Sequence, residues 1–247
     1  MVEAMSVPSN EESAATEHSL HALCTEVAGG GRVAAACECG ESVFSPKSQG
    51  HDLLVIMEDY AQGLRYHSRR LKGRPVTILA SDKSLVDLDV RKGAMGEFIV
   101  ERLLTPYRPV QNEETLYSIE VDAKERILRE ELAELVFEYG EMARELSIRE
   151  EYLMLARLRK RARVFLPTAR TCALLLEPSV RDANLRKMMP GYHSATERVI
   201  DAGILRKEGS AYALEDPFVD RLLGSKSAAM VINVVQSGRR ALQAYLA

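Results

Sequence analysis

An aspartate at the entrance to a buried strand is the first residue of this sequence that could do chemistry. Asp52 follows a polar loop and begins the run Asp52–Met57 (DLLVIM). A near-continuous apolar run of this length is typical of a strand that is buried on both faces. A carboxylate at such a point is a candidate metal ligand, because hard cations prefer oxygen. The alternative is an acid that is solvated at the strand start or that caps a nearby backbone amide.

The segments around Asp52 must position it. The pattern predicts a sheet with flanking helices, because apolar strand-like runs alternate with polar, helix-like segments. In chain order these are a helix at 18–29, a strand at 32–40, a loop at 41–51, a strand at 52–57, a helix at 61–73 and a strand at 75–81. We therefore expect a small α+β domain that ends near Pro109.

The stretch from Val33 to Ala80 resembles the nucleotidyltransferase superfamily, in particular its small minimal-nucleotidyltransferase type, found in archaea and bacteria. Members carry Gly-Ser after the first strand, then a loop, then Asp-x-Asp leading into the second strand. The resemblance implies Mg²⁺-dependent transfer of a nucleoside monophosphate. It implies that Gly40 and Ser42 lie near the triphosphate and that Asp52 is the catalytic metal ligand, with Asp82 as the nearest substitute for a third carboxylate.

The sequence departs from that pattern at several points. Glu41 replaces the serine that should follow Gly40, and one acid of the pair is missing. The missing acid corresponds to Gly50 or to Leu54, depending on the register. His51 could add a nitrogen ligand, but adjacent residues of a strand point to opposite faces. Two hypotheses stay open: a non-catalytic binding module without a cofactor, and an active enzyme that uses Mg²⁺ to modify a protein or nucleic-acid acceptor.

A basic stretch within residues 65–74 is the second candidate site. As a helix, it would present cations toward a polyanion near the cleft. The candidates are Arg65, Arg69, Arg70 and Lys72. RNA, DNA, a nucleotide or a protein are the partners considered. The alternative is a solvated helix whose charge is balanced by the acidic helix described next.

The remainder of the chain is predicted to be mainly helical. Residues 111–165 read as long amphipathic helices, the first with an acidic outer face (Glu130 to Glu141) and the second with a basic end. Residues 166–247 resemble a winged-helix unit, with three helices, a hairpin at 204–214 and a final helix at 227–246. Winged helices serve nucleic-acid or protein binding, and the pattern leaves this choice open.

Composition limits the classes of function. The 247 residues are 46% hydrophobic and carry a formal net charge of −3, so only local patches could bind nucleic acid. No apolar run is long enough for a membrane span, and residues 1–17 read as a disordered tail rather than a secretory signal. We therefore expect a cytoplasmic protein. The four cysteines lack the spacing of a four-ligand metal site and read as small buried residues.

Overall fold

The computed structural model describes residues 10–45, 48–163 and 165–225, and of residues 10–17 the backbone alone. The chain divides into two compact units. The first comprises Met1–Glu120 and Leu174–Lys187, and the second comprises Val121–Ala173 and Met188–Ala247. These units do not coincide with the predicted divisions at 110 and 165.

The first unit is α+β, as predicted, and is built on a five-stranded mixed sheet in the order β3-β4-β2-β1-β5. Its strands are β1 (Arg32–Cys39), β2 (His51–Glu58), β3 (Leu64–Leu71), β4 (Arg74–Asp82) and β5 (Arg108–Gln111). Strands β2 and β4 are parallel, and the other neighbouring pairs are antiparallel. Its helices are α1 (Asn10–Ala28), α2 (Glu41–Phe44), α3 (Lys83–Lys92) and α4 (Glu101–Leu104).

The two faces of this sheet pack differently. Helix α1 packs on one face, over a core that includes Leu53, Val55 and Ile78. Helix α3 contacts β2 and β4. Because side chains alternate along a strand, Asp52 lies on the face opposite to that of Leu53. The end of this second face, around Asp52, is exposed.

The predicted helix at 61–73 is wrong: the chain forms β3 there. Strands β3 and β4 make a hairpin whose two-residue turn is Lys72 and Gly73, with φ of 48° and 81°. Positive φ at both central residues is the geometry of a tight hairpin turn. β3 is an edge strand and is polar on both faces, so its sequence lacks the apolar alternation that predicts a strand.

Smaller differences concern the ends of elements. Helix α1 begins at Asn10, within the predicted tail, and α2 occupies the start of the predicted loop. Strand β5 was not predicted, because four residues that include Pro109 carry almost no strand signal. The predicted strands at 32–40, 52–57 and 75–81 correspond to β1, β2 and β4 and are confirmed.

A buried carboxylate organises the chain between α3 and α4. Asp89 is fully buried, and its two oxygens accept hydrogen bonds from four backbone N–H groups. The donors are Met95 (3.0 Å), Glu97 (3.0 Å), Ile99 (3.0 Å) and Val100 (3.2 Å). These bonds satisfy backbone donors that regular secondary structure leaves unpaired. Asp89 is therefore a structural acid that shapes the loop leading into α4.

The second unit is largely helical, as predicted. Its elements are α5 (Glu113–Tyr139), a 3-10 helix (Gly140–Glu145), α6 (Glu150–Ala162), α7 (Leu166–Leu175), α8 (Arg181–Asp201), β6 (Leu205–Glu208), β7 (Ala211–Leu214) and α9 (Asp216–Leu223). Helices α5 and α8 each begin in the first unit and continue into the second. The predicted hairpin is confirmed as β6 and β7. The predicted helix at 227–246 lies outside the described residues.

The second and third helices predicted for the winged-helix-like region are one helix. Helix α8 continues through Pro190, where the sequence predicted a break. Tertiary contacts hold the helix at this point, because Lys124 Nζ donates to the Met188 carbonyl (3.0 Å) and Tyr192 Oη donates to the Met154 carbonyl (3.0 Å). Two polar side chains in the C-terminal half of this helix have partners within the second unit. Thr196 is buried against Glu150, and Arg198 pairs with Asp122.

The acids of α5 pair with bases inside the second unit. Glu130 bonds Arg126 (2.7 Å) and Arg157, while Lys160 bonds Glu131 (2.5 Å) and Glu134. The predicted solvated faces of the acidic and basic helices are therefore partly paired with each other. Leu128 and Leu132 are buried as predicted, but Tyr139 and Met142 are exposed.

No helix in residues 10–45, 48–163 or 165–225 combines the length and the hydropathy that a membrane crossing requires.

Replacing Asp89 by asparagine should destabilise the first unit by about 3 kcal/mol or more, because an amide turns its own N–H groups toward some of the four donors. Urea unfolding followed by circular dichroism measures this. Asp87→Asn is the matched control on the same helix. Asp87 forms a long, exposed ion pair with Arg91 (3.9 Å), so this substitution should lower the free energy of unfolding by less than about 0.5 kcal/mol. Equal losses in the two variants would contradict the role given to Asp89.

Candidate functional site

The structure brings Gly40, Ser42 and Asp52 together at one corner of the sheet. Cys39 pairs with Asp52 across β1 and β2, so Gly40 follows directly beside the carboxylate. Gly40 has φ of 69°, and a Cβ there would lie 3.2 Å from Asp52 Oδ2. Both facts favour glycine. Ser42 Oγ donates to the Cys39 carbonyl (3.0 Å), so this hydroxyl braces the turn.

Opposing charges act on the Asp52 carboxylate. Partial burial raises its pKa, and the negative charges of Glu41 and Glu38 raise it further. The Arg102 guanidinium and His51 lower it. Arg102 belongs to α4, so the loop held by Asp89 delivers this cation to the corner. No sequence pattern indicates Arg102, because this residue is brought within electrostatic range of Asp52 only by the fold.

Asp82 is not a partner for Asp52. The pairing of β2 with β4 places Asp52 beside Thr77, and Asp82 is five residues further along β4. At about 3.3 Å per residue the two acids are roughly 16 Å apart, so they cannot share one ion. Asp82 caps α3 instead, accepting from the backbone N–H groups of Ser84 (2.9 Å) and Tyr60 (2.7 Å). Hydrogen bonds from Ser84 and Tyr60 lower the pKa of Asp82.

The position of the missing acid has no room for one. In the first register it corresponds to Gly50, where a Cβ would lie 2.8 Å from the Pro75 carbonyl oxygen. In the second register it corresponds to Leu54, which is fully buried. The loss of the second carboxylate is therefore built into the packing of β2 against β4 and the core.

His51 and Glu38 lie on the other face of the sheet. His51 Nδ1 is 2.6 Å from Glu38 Oε1, and Arg108 Nη1 is 3.1 Å from Glu38 Oε2. The Glu38 side chain is only 1% exposed, so these two partners hold a buried charge. His51 is therefore not a co-ligand with Asp52, as the alternation of side chains indicates.

The Mg²⁺ site that the resemblance implies does not fit these residues. Two-metal chemistry of that kind needs several carboxylates around one pair of ions. Across residues 10–45, 48–163 and 165–225, no group of three His, Cys, Asp or Glu side chains could hold a metal ion. Asp52 stands with Glu41 beside a guanidinium, and the other predicted acid lies at the far end of β4.

An exposed row of polar side chains continues from Asp52 across the sheet. Thr77 pairs with Asp52 and with Ser68, and all three side chains are exposed. Tyr66 and Arg70 flank Ser68 on the same face of β3, because they lie two residues to either side. Once 64–71 is taken as a strand, this alternation follows from the sequence.

The β3–β4 hairpin carries the predicted cations, with one exception. Arg65, Arg70 and Lys72 are exposed, as is Arg74. None of these four forms an ion pair with any described residue. Arg69 pairs with Glu26 of α1 (2.9 Å), so its charge is largely compensated. Burial, followed by the charges of Arg65 and Arg69, lowers the pKa of His67 between them.

The cysteines of this unit are buried free thiols. Cys24, Cys37 and Cys39 are all buried. Burial raises the pKa of Cys24 to about 12, and a hydrogen bond with Cys39, followed by burial, raises the pKa of Cys37. Protonated thiols are poor metal ligands and nucleophiles.

Comparisons with known proteins leave the family open. No protein-family model matches the chain, and no curated protein matches it. A solved structure of a nucleotidyltransferase-like protein from Exiguobacterium sibiricum 255-15 is similar at 12% sequence identity and a TM-score of 0.33. The match covers 81% of this chain and 99% of that one. A structural similarity this low provides no residue-by-residue correspondence between the two proteins.

The pKa of Asp52 should lie above the ordinary value for aspartate and should respond to its neighbours. Arg102→Gln should raise it further, because the cation that lowers it is removed, and Glu41→Gln should lower it. A pH titration followed by ¹³C NMR of the Asp52 carboxyl carbon measures both effects. Arg91→Gln, an exposed cation on α3, serves as the control and should leave the titration unchanged. An unaltered Asp52 titration in Arg102→Gln would refute the placement of Arg102.

Proposed function

We propose that the first unit is a non-catalytic nucleic-acid-binding module that uses the β3–β4 hairpin. The observation that carries this proposal is a set of four exposed cations that pair with no carboxylate in the part of the chain that the structure describes: Arg65, Arg70, Lys72 and Arg74. Cations grouped on one projecting element form a local patch that attracts phosphates despite the net negative charge of the chain.

Two features of the molecule support the availability of this patch. Glu130, Glu131 and Glu134 of α5 pair with Arg126, Arg157 and Lys160 within the second unit, so their charges are compensated locally. The hairpin also ends in a tight turn at Lys72 and Gly73, and both turn residues are exposed.

The cations on β3 have a second effect, since charge on an edge strand discourages pairing with another chain.

The Asp52 corner supports the non-catalytic part of the proposal. Asp52 has beside it the glycine that close approach of a phosphate requires, but the described residues do not assemble a carboxylate set for a metal pair around it. Arg102, whose charge lowers the pKa of Asp52, would favour a phosphate oxygen without a metal ion. The proposal therefore assigns Asp52 and Arg102 to the border of a binding surface.

Calorimetric titration with ATP, CTP, GTP and UTP tests the non-catalytic part of the proposal. We expect no binding that requires Mg²⁺ and no difference between the wild type and Asp52→Ala, because Asp52 lacks the partners that hold an ion. Mg²⁺-dependent nucleotide binding that disappears in Asp52→Ala would support the active enzyme instead.

Removing two hairpin charges should weaken nucleic-acid binding and flatten its salt dependence. For Arg70→Gln/Lys72→Gln we expect the slope of log K against log salt to fall by about 2, since each lost phosphate contact reduces it by about 1. Fluorescence anisotropy of a labelled oligonucleotide between 50 and 200 mM salt, the range over which such contacts are resolved, gives the slope.

The matched control is Arg186→Gln/Lys187→Gln, which removes the same charge from two exposed positions of α8 in the same unit. This variant should bind as the wild type does. If both double variants lose affinity equally, the attraction is a general charge effect and the hairpin is not the site.

A further inference from the structure

An exposed aromatic ring on β3 is held in place from two sides. Tyr66 is 51% exposed, yet its ring meets Phe98 edge-on, with centroids 6.2 Å apart and planes at 80°. Arg102 Nη2 donates to Tyr66 Oη (2.8 Å), and the same guanidinium lies over the Phe98 ring at 4.8 Å. Arg102 also donates to the Phe98 carbonyl, which fixes its own position.

The fixed ring stands on the polar row that ends at the basic hairpin. Tyr66, Ser68 and Arg70 share one face of β3, and Thr77 and Asp52 continue this face onto β4 and β2. Arg70 lies about 13 Å from Tyr66 along the strand. An aromatic surface, two hydroxyls and a cation that pairs with no described carboxylate thus lie side by side on an exposed sheet face.

We propose that Tyr66 is a stacking platform for an unpaired base, so that the hairpin binds single-stranded nucleic acid in preference to duplex. A base can lie on a protein ring only when it is outside a duplex stack. A ring already held by Phe98 and Arg102 loses little conformational freedom when a base stacks on it. Stacking on Tyr66 directs the neighbouring phosphates toward Arg70 and the Lys72 turn. This inference rests on the proposed function, since it specifies which nucleic acid the hairpin binds.

The experiment compares one labelled oligonucleotide of about 12 nucleotides, a length within the usual range of single-strand sites, with the same sequence as a duplex. Anisotropy titrations use the full chain as wild type, Tyr66→Leu and Tyr66→Phe. Tyr66→Phe keeps the ring and loses the hydroxyl, so it separates stacking from the hydrogen bond to Arg102. Tyr152→Leu is the matched control, since Tyr152 is a similarly exposed tyrosine (64%) in the second unit.

We expect the wild type to bind the single strand at least tenfold more tightly than the duplex. Tyr66→Leu should reduce the affinity for the single strand about tenfold and the affinity for the duplex little, because the stacking energy of one base corresponds to about that factor. Tyr66→Phe and Tyr152→Leu should bind as the wild type does. Thermal melting of each variant shows whether it is folded. If Tyr66→Leu does not fold, the wild type's affinity for the single strand relative to the duplex still decides, because equal affinities contradict stacking of an unpaired base.

Failure of this inference can be told apart from failure of the proposed function. Equal binding of single strand and duplex, with no loss in Tyr66→Leu, overturns the stacking role; a loss in Arg70→Gln/Lys72→Gln would still uphold the hairpin. If the wild type binds neither oligonucleotide, the proposed function and the stacking role fall together. A further control adds free mononucleotides to the complex with the labelled single strand. If they displace the strand at concentrations similar to that of the strand itself, the phosphates on either side of the stacked base contribute nothing, and the preference for a strand is overturned.

Discussion

Four backbone N–H groups converge on the buried carboxylate of Asp89 and fix the path of the chain from α3 to α4. That path places Phe98 and Arg102. Arg102 then reaches the hydroxyl of Tyr66 and lowers the pKa of Asp52. A carboxylate that accepts several backbone hydrogen bonds is a strong local constraint, because losing it leaves several buried donors unpaired. The positions of Phe98 and Arg102 at the exposed face of the sheet therefore depend on a fully buried acid.

The strand geometry explains why acids close in sequence do not form one site. Alternation along β1 and β2 sends Glu38 and His51 to the face of α1 and Asp52 to the opposite face. The parallel pairing of β2 with β4 sends Asp82 to the other end of the sheet. Each acid has a local partner there: a histidine and an arginine for Glu38, and a helix N-terminus for Asp82. This geometry is the basis on which we propose a binding surface rather than metal-dependent transfer.

Sequence patterns predicted the elements whose own side chains carry the signal. The buried strands β1, β2 and β4 and the long helix α5 are of this kind. β3 was predicted as a helix because it is charged on both faces; the Lys72–Gly73 turn was the cue that could have corrected it. The grouping of Gly40, Ser42 and Asp52 was implied by the resemblance to the nucleotidyltransferase superfamily. Arg102 and the role of Asp89 depend on tertiary contacts with residues far along the chain, which periodicity does not encode.

Backbone amide NMR of the full chain, titrated with a single-stranded oligonucleotide, tests the central claim most directly, because it reports where on the molecule the nucleic acid lies. The account predicts chemical-shift changes along β3, at the Lys72–Gly73 turn and at the start of α4, with saturation at one concentration for all of them. Changes confined to the second unit, or no saturable change in the first, would contradict it.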